Sequence, residues 1–211
     1  SVADFSGGEK ERPFMELQRR AFEVLKNTGT KCNAIWFWGD SLAPEFPKAE
    51  AGRCALGETI LMRGITAAAN IPIFPTEEAG RSFEAFLTEK ADKAIAALNG
   101  GYERAYVHIQ ATDDLSHDRN SLGKRAAIEA ADALVVRRLM NEVEGDFRLL
   151  VLSDHFTYSD TGSHGGDPVP CLYFDSTCPG NNPSARFTEA LCDERYELTT
   201  AKGTVEMMEK R

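Results

Sequence analysis

The stretch Tyr106-Val107-His108-Ile109-Gln110 reads as a buried strand, and it runs directly into Ala111-Thr112-Asp113-Asp114-Leu115-Ser116-His117-Asp118. Few architectures suit an apolar strand that ends at once in three carboxylates and a histidine. In an open α/β sheet, ligands collect just beyond the carboxyl ends of the strands. Asp113 and His117 are four residues apart. If the chain turns into a helix there, both side chains share one face. A carboxylate oxygen beside an imidazole nitrogen suits a divalent ion such as Zn²⁺ or Mn²⁺. The same spacing also describes a helix cap with a surface neighbour, so the pair alone decides nothing.

A second stretch is built the same way. Phe147-Arg148-Leu149-Leu150-Val151-Leu152 reads as another buried strand and ends in Ser153-Asp154-His155. His164 follows, just before Gly165-Gly166-Asp167-Pro168-Val169-Pro170. If the two strands lie side by side in a parallel sheet, Asp113, His117, Asp154, His155 and His164 converge. Five nitrogen and oxygen donors exceed the needs of one tetrahedral ion, which points to two. Paired ions about 3.5–4 Å apart are a standard device for phosphoryl transfer. Asp154 and His155 are adjacent, so they can share an ion only in an irregular turn. Asp114 and Asp118 read as a cap and a solvated charge, and His108 as a hydrogen-bonded core or supporting histidine.

Elsewhere, helical periodicity predicts helices over 14–25, 57–69, 76–98, 121–143, 184–192 and 200–210. In the second of these, Ile60, Leu61, Ile65 and Ala68 are expected to face inward. Strands are predicted over 33–38, 71–74, 106–110, 147–152 and 168–174, with loops over 40–53 and 159–166. Strands that alternate with helices predict an α/β fold, a layered and mainly parallel sheet flanked by helices. The 211 residues suffice for a sizeable core. A formal net charge of −9 and no basic patch argue against nucleic acid as a partner. A phosphate substrate would need local metal ions or arginines to offset that field. No apolar run reaches transmembrane length, so no membrane partner is expected. The five cysteines show no paired metal spacing and predict reduced thiols in a cytoplasmic protein, with Cys171 and Cys178 buried.

These motifs carry a resemblance. The segment from Ala111 to Asp118 resembles the "A-x-D-E-A-G-H-D" box of the archaeal-type cofactor-independent phosphoglycerate mutases, members of the alkaline phosphatase superfamily. Lys124 and Ile128-Glu129-x-x-Asp132 continue the likeness. Asp154-His155 and His164-Gly165-Gly166-Asp167-Pro168-Val169-Pro170 are similar to the family's "D-H-x-T-P…H-T-x-D-P-V-P". Asn33-Ala34-Ile35-Trp36-Phe37-Trp38-Gly39 is similar to its "N-A-I-W-L-W-G". The likeness spans residues 14–174 in the family order, and it departs from the pattern at Phe156 and Tyr158.

The resemblance implies one metal on Asp113, His117 and His164 and a second on Asp154 and His155, with Mn²⁺, Zn²⁺ or Mg²⁺ as the ions. It implies interconversion of 3-phosphoglycerate and 2-phosphoglycerate, a step of glycolysis, through a phosphoenzyme. Arg63 stands where the family tends to have a lysine, and either meets a substrate phosphate or lies on a helix surface. The family's nucleophilic serine or threonine and its first aspartate lie in an N-terminal half that these residues do not match. Ser41 is the one local substitute, and it falls where the family has a glycine-containing loop. The expected organisation is therefore the tail of a cap or linker over 1–45 and the C-terminal half of an alkaline-phosphatase-like domain over 46–211. Its partners would be that N-terminal half and a small phosphorylated substrate, and an oligomer is compatible with the sequence. Two other readings stay open. One is a homoserine kinase-type or other phosphate or phosphonate enzyme. The other is a truncated, non-catalytic metal-binding chain.

Overall fold

The computed structural model describes residues 12–35, 37, 45–76, 80–178, 180, 187–188 and 199–209. The chain divides into two compact units, Ser1–Phe46 and Pro47–Arg211. In the first unit, α1 (Arg12–Leu25) forms as its apolar period predicts. Gly29, just beyond it, takes the left-handed φ of 70° that a side chain would resist. Phe14 packs edge-on against Phe37 at 5.4 Å. The strand predicted over 33–38 is absent at its described positions, and Trp36, Trp38 and Ser41 lie outside the described residues.

The second unit holds a parallel sheet. Its strands are β1 (Arg53–Leu56), β2 (Ile73–Phe74) and β3 (Arg104–Val107), in the order β2-β1-β3. The helices α2 (Ile60–Ala69) and α3 (Phe83–Asn99) connect them. The α/β expectation holds, yet the central strand β1 is one that periodicity missed. Arg53-Cys54-Ala55-Leu56 is short and lacks β-branched or aromatic residues, so it carries little strand signal. Cys54, Ala55 and Leu56 are nonetheless fully buried. Around them, Phe86, Leu87, Ala91, Ala94 and Ile95 of α3 meet Val135 and Leu139.

Those last two belong to the long helix predicted over 121–143. It forms as α5 (Ser121–Ala131), a π turn (Asp132–Val136) and α6 (Arg137–Glu142). Helix α2 begins three residues late, at Ile60, because the Thr59 hydroxyl caps it by accepting from Met62 N–H at 3.1 Å. Its facing is also corrected. Ile60, Leu61 and Ile65 are exposed, and Thr66 is the buried residue.

The remaining strands form two small antiparallel sheets. In one, β4 (Arg148–Leu152) pairs with β7 (Cys171–Asp175). In the other, β5 (Phe156–Tyr158) pairs with β6 (Ser163–Gly165), and β6 lies within the stretch 159–166 expected to be loop. The expectation that β3 and β4 share one parallel sheet is not met, since β4 takes β7 as its partner. Packing links them instead, with Val107, Ile109 and Leu149 against the same core. Cys171, which opens β7, and Cys178, just beyond its end, are exposed rather than buried, while Cys54 is the buried thiol among the described residues. The last described helix, α7 (Ala201–Glu209), matches its prediction. The helix predicted over 184–192 lies outside the described residues except for 187–188. Among the described residues, no helix is long and apolar enough to cross a membrane.

A buried ion pair ties the carboxyl ends of β1 and β3 together. Lys90 of α3 is fully buried, and its ammonium reaches Glu58 Oε2 at 2.7 Å, just past β1. It also donates to the His108 carbonyl, just past β3, and lies 4.3 Å from the centre of the Phe86 ring. Glu58→Ala takes away the carboxylate partner of a buried charge and is expected to cost about 3 kcal/mol. Lys90→Met in the same background should recover part of that loss in urea unfolding. No recovery would mean that the pair is not the source of the cost.

The β4–β7 sheet has its own clasp. The Asp175 carboxylate accepts from the Thr177 hydroxyl at 2.6 Å and from Arg148 Nε at 2.8 Å. The Thr177 hydroxyl, then the Arg148 guanidinium and the Thr177 backbone N–H, hold this carboxyl well below the usual range. A folded-state pKa below the unfolded value of about 3.9 stabilises at higher pH. That stability is expected to be lost as the pH falls below about 5. Melting temperatures between neutral and acid pH should therefore fall less steeply for Asp175→Asn than for the native chain. Parallel curves would refute the assignment.

Candidate metal centre

The sequence turns three times to build this site. After β3, Gln110 leads into α4 (Ala111–His117), whose first turn carries Asp113 and Asp114, where the helix dipole favours carboxylates. Asp113 and His117 lie four residues apart on α4 and face the same way. Later, β5 and β6 form a hairpin whose register sets Thr157 opposite His164. Paired residues across antiparallel strands share a face, so His164 is turned to the side of Thr157. A turn with Gly162 at φ 70° closes the hairpin. Backbone carbonyls join the hairpin to the helical layer at three points. His117 Nδ1 meets the Gly162 carbonyl at 2.8 Å, Arg119 donates to the Thr161 carbonyl, and Lys124 Nζ donates to the Thr157 carbonyl at 2.8 Å.

The result is a triangle of donor atoms. Asp113 Oδ1 lies 3.4 Å from His117 Nε2 and 3.5 Å from His164 Nε2, and the two Nε2 atoms are 3.0 Å apart. Donors held at about 2.0–2.2 Å from one tetrahedral ion stand about 3.4 Å from each other. A point about 2 Å from all three atoms therefore exists, so the spacing of these residues fits an ion. The tautomer fits as well. A carbonyl only accepts, so His117 Nδ1 carries its proton toward Gly162, and Nε2 presents its lone pair to the triangle.

His155 joins from the side. Its ring stacks on His164 with centroids 3.8 Å apart. Ligand atoms of Asp113, His155 and His164 all lie within 4.8 Å of one another. Asp154 is at the rim. Its carboxylate is largely exposed, with Oδ2 3.5 Å from His155 Nε2 and Oδ1 accepting from the His155 backbone N–H. All five predicted donors are thus gathered, three in the triangle and two beside it.

Both oxygens of Asp113 are held in place. Gln110 Nε2 donates to Oδ2 at 2.9 Å, and the Thr157 hydroxyl donates to Oδ1 at 2.6 Å. Partial burial pushes this carboxyl up, but the Thr157 hydrogen bond and the three surrounding histidines outweigh it and hold the group below its ordinary value. Asp113 is therefore an ionised donor at neutral pH.

Other predicted residues fall outside this cluster. Arg63 is exposed on α2, and its guanidinium forms no ion pair among the described residues. Ser41 lies outside the described residues. His108 is half-buried just past β3, and its Nδ1 has no hydrogen-bond partner among the described residues, where a hydrogen-bonded core or supporting histidine is expected. Asp118 is exposed, as expected of a solvated charge, whereas Asp114, expected as a cap, lies exposed in the first turn of α4, whose N-cap position is Gln110. Tyr158 reaches across the hairpin to Asp167, and its ring lies where a Cβ on Gly165 would stand. Reading by residue type missed Gln110 and Thr157, which hold Asp113. The signal for Thr157 was its place two residues after His155.

The arrangement of oxygen and imidazole donors at the edge of an α/β unit marks a metal-dependent enzyme class, and sequence comparison agrees. The description of the Metalloenzyme superfamily matches residues 27–205, and the chain belongs to that superfamily. It is 31% identical over 171 residues to a probable 2,3-bisphosphoglycerate-independent phosphoglycerate mutase of Geobacter sulfurreducens, covering 78% of this chain and 43% of that protein. It is 30% identical to the mutase of Methanothrix thermoacetophila, over 77% of this chain and 43% of the relative. A solved structure of a protein from Pyrococcus horikoshii superposes with a TM-score of 0.50 at 27% identity, covering 57% of this chain and 36% of that one. The resemblance read from the motifs is thus matched by sequence similarity over most of the chain, and the chain spans less than half the length of these curated relatives.

Proposed function

We propose that this chain forms the metal-bearing part of a phosphotransfer enzyme that interconverts 3-phosphoglycerate and 2-phosphoglycerate. The observation that carries the reading is the triangle of Asp113 Oδ1, His117 Nε2 and His164 Nε2, with edges of 3.0–3.5 Å. In this reading Asp113, His117 and His164 hold one divalent ion, and His155 with Asp154 holds a second. Mn²⁺ and Zn²⁺ suit the mixed oxygen and nitrogen donors best. When bound, the two ions neutralise phosphate charge and favour an ionised hydroxyl.

The chain's own part is to fix the geometry. Gln110 and Thr157 hold the Asp113 oxygens, and Gly162 sets the His117 tautomer. Residues 1–45 then act as the end of a cap or linker, and 46–211 as the C-terminal half of the catalytic domain. The nucleophilic hydroxyl comes from a segment other than the metal cluster. Similarity to relatives named as phosphoglycerate mutases favours this substrate over homoserine.

The test is a protein in which this chain is joined to the N-terminal half of a mutase relative. It should convert 3-phosphoglycerate to 2-phosphoglycerate with added Mn²⁺, and His117→Ala should remove that turnover. Phosphorylation of homoserine without mutase turnover would transfer the reading to the kinase-type relatives.

A further inference from the structure

Thr157 is 5% exposed and sits between the two groups of donors. Its Oγ1 lies 2.6 Å from Asp113 Oδ1 and 3.2 Å from His155 Nδ1. A threonine hydroxyl has one proton to give. The ionised Asp113 can only accept, so the proton goes there. Toward His155 the same oxygen must then accept, which requires a proton on His155 Nδ1. The second neighbour of that nitrogen agrees, since the Phe156 carbonyl at 3.2 Å also only accepts. His155 therefore carries its proton on Nδ1 and presents the Nε2 lone pair.

We infer that Thr157 is a positioning residue that couples the two metal positions, aiming Asp113 Oδ1 into one and fixing the His155 tautomer for the other. This rests on the two-metal reading above. The backbone of Thr157 is itself fixed, by Lys124 Nζ on its carbonyl and by its ladder position opposite His164. One hydroxyl thus sets the direction of a donor on α4 and the protonation pattern of a donor beside β5. Valine matches threonine in shape but offers no hydroxyl, and serine keeps the hydroxyl.

Two measurements test this on the full chain. Calorimetry with Mn²⁺ should show binding weakened about 10–100-fold in Thr157→Val and nearly native in Thr157→Ser. Long-range ¹H–¹⁵N spectra of the metal-free chain should show His155 protonated on Nδ1 in the native and Thr157→Ser proteins, with that preference weakened in Thr157→Val. A merely structural role for Thr157 would not move the tautomer of one histidine. Native affinity and native tautomer in Thr157→Val would overturn the inference, as would a native His155 protonated on Nε2. The two readings fail separately. If His117→Ala binds Mn²⁺ as well as the native chain, the metal centre is wrong. If His117→Ala loses binding and Thr157→Val does not, only the role of Thr157 is wrong.

Discussion

Asp113→Ala is expected to weaken Mn²⁺ binding by on the order of a hundredfold, about 2.7 kcal/mol. Asp113 is the only anionic corner of the triangle, and the corners that remain are two neutral imidazoles. Its own environment prepares it for the task. Hydrogen bonds from Gln110 and Thr157 fix both oxygens, and against the partial burial that pushes the carboxyl up the Thr157 hydroxyl helps to hold it below its ordinary value. His117→Ala should lose binding to a comparable degree, because Nε2 is the lone pair nearest both other corners. Asp114→Ala is the control. It removes an equal charge from the next residue, which is exposed and outside the triangle. Calorimetry on the three variants, with melting curves to confirm folding, separates a built site from general acidity. Similar affinities for Asp113→Ala and Asp114→Ala would sink the metal centre.

The second large effect is an absence. The chain alone is expected to show no mutase turnover above background with Mn²⁺ present. In the proposed reading the gathered donors are ligands or supports of ligands, and among the described residues of the cluster none is a free hydroxyl placed to attack phosphorus. Thr157, the nearest hydroxyl, is buried and already commits its proton to Asp113. Without a nucleophile the covalent route is closed, and ions alone recover only part of the rate. An assay of 3-phosphoglycerate conversion decides the matter. Metal-dependent turnover that disappears in Ser41→Ala would place the nucleophile within this chain and overturn the division of labour proposed above.

The site was more legible in the sequence than the frame that carries it. Asp113, His117, Asp154 and His155 stood out because two apolar runs each lead into carboxylates and a histidine, and His164 because it follows the second of them. Their supports were harder to see. Gln110 and Thr157 are ordinary polar residues until the fold brings their hydrogen bonds to Asp113. In the frame, α1 and α3 carried enough apolar period to be found. β1 did not, since four short residues give no period to read, although they are the most buried strand of the sheet. Ile60, Leu61 and Ile65 misled because helical spacing marks an apolar face without saying whether anything covers it. The placement of β4 depended on a competition that local sequence does not encode, between joining β3 and pairing with β7.

The hairpin that delivers His164 has a consequence for the chain's thermodynamics. His117 and His164 are 47 residues apart in sequence, and the fold brings them together. An ion held by both is a reversible cross-link across the loop, one that the unfolded chain cannot form with the same geometry. The folded population then rises with free ion by mass action, roughly 2.7 kcal/mol at a hundred times the dissociation constant. If the proposed centre holds its ion, ion supply and protein lifetime become linked variables, and a chelator is expected to act on the chain as a mild denaturant.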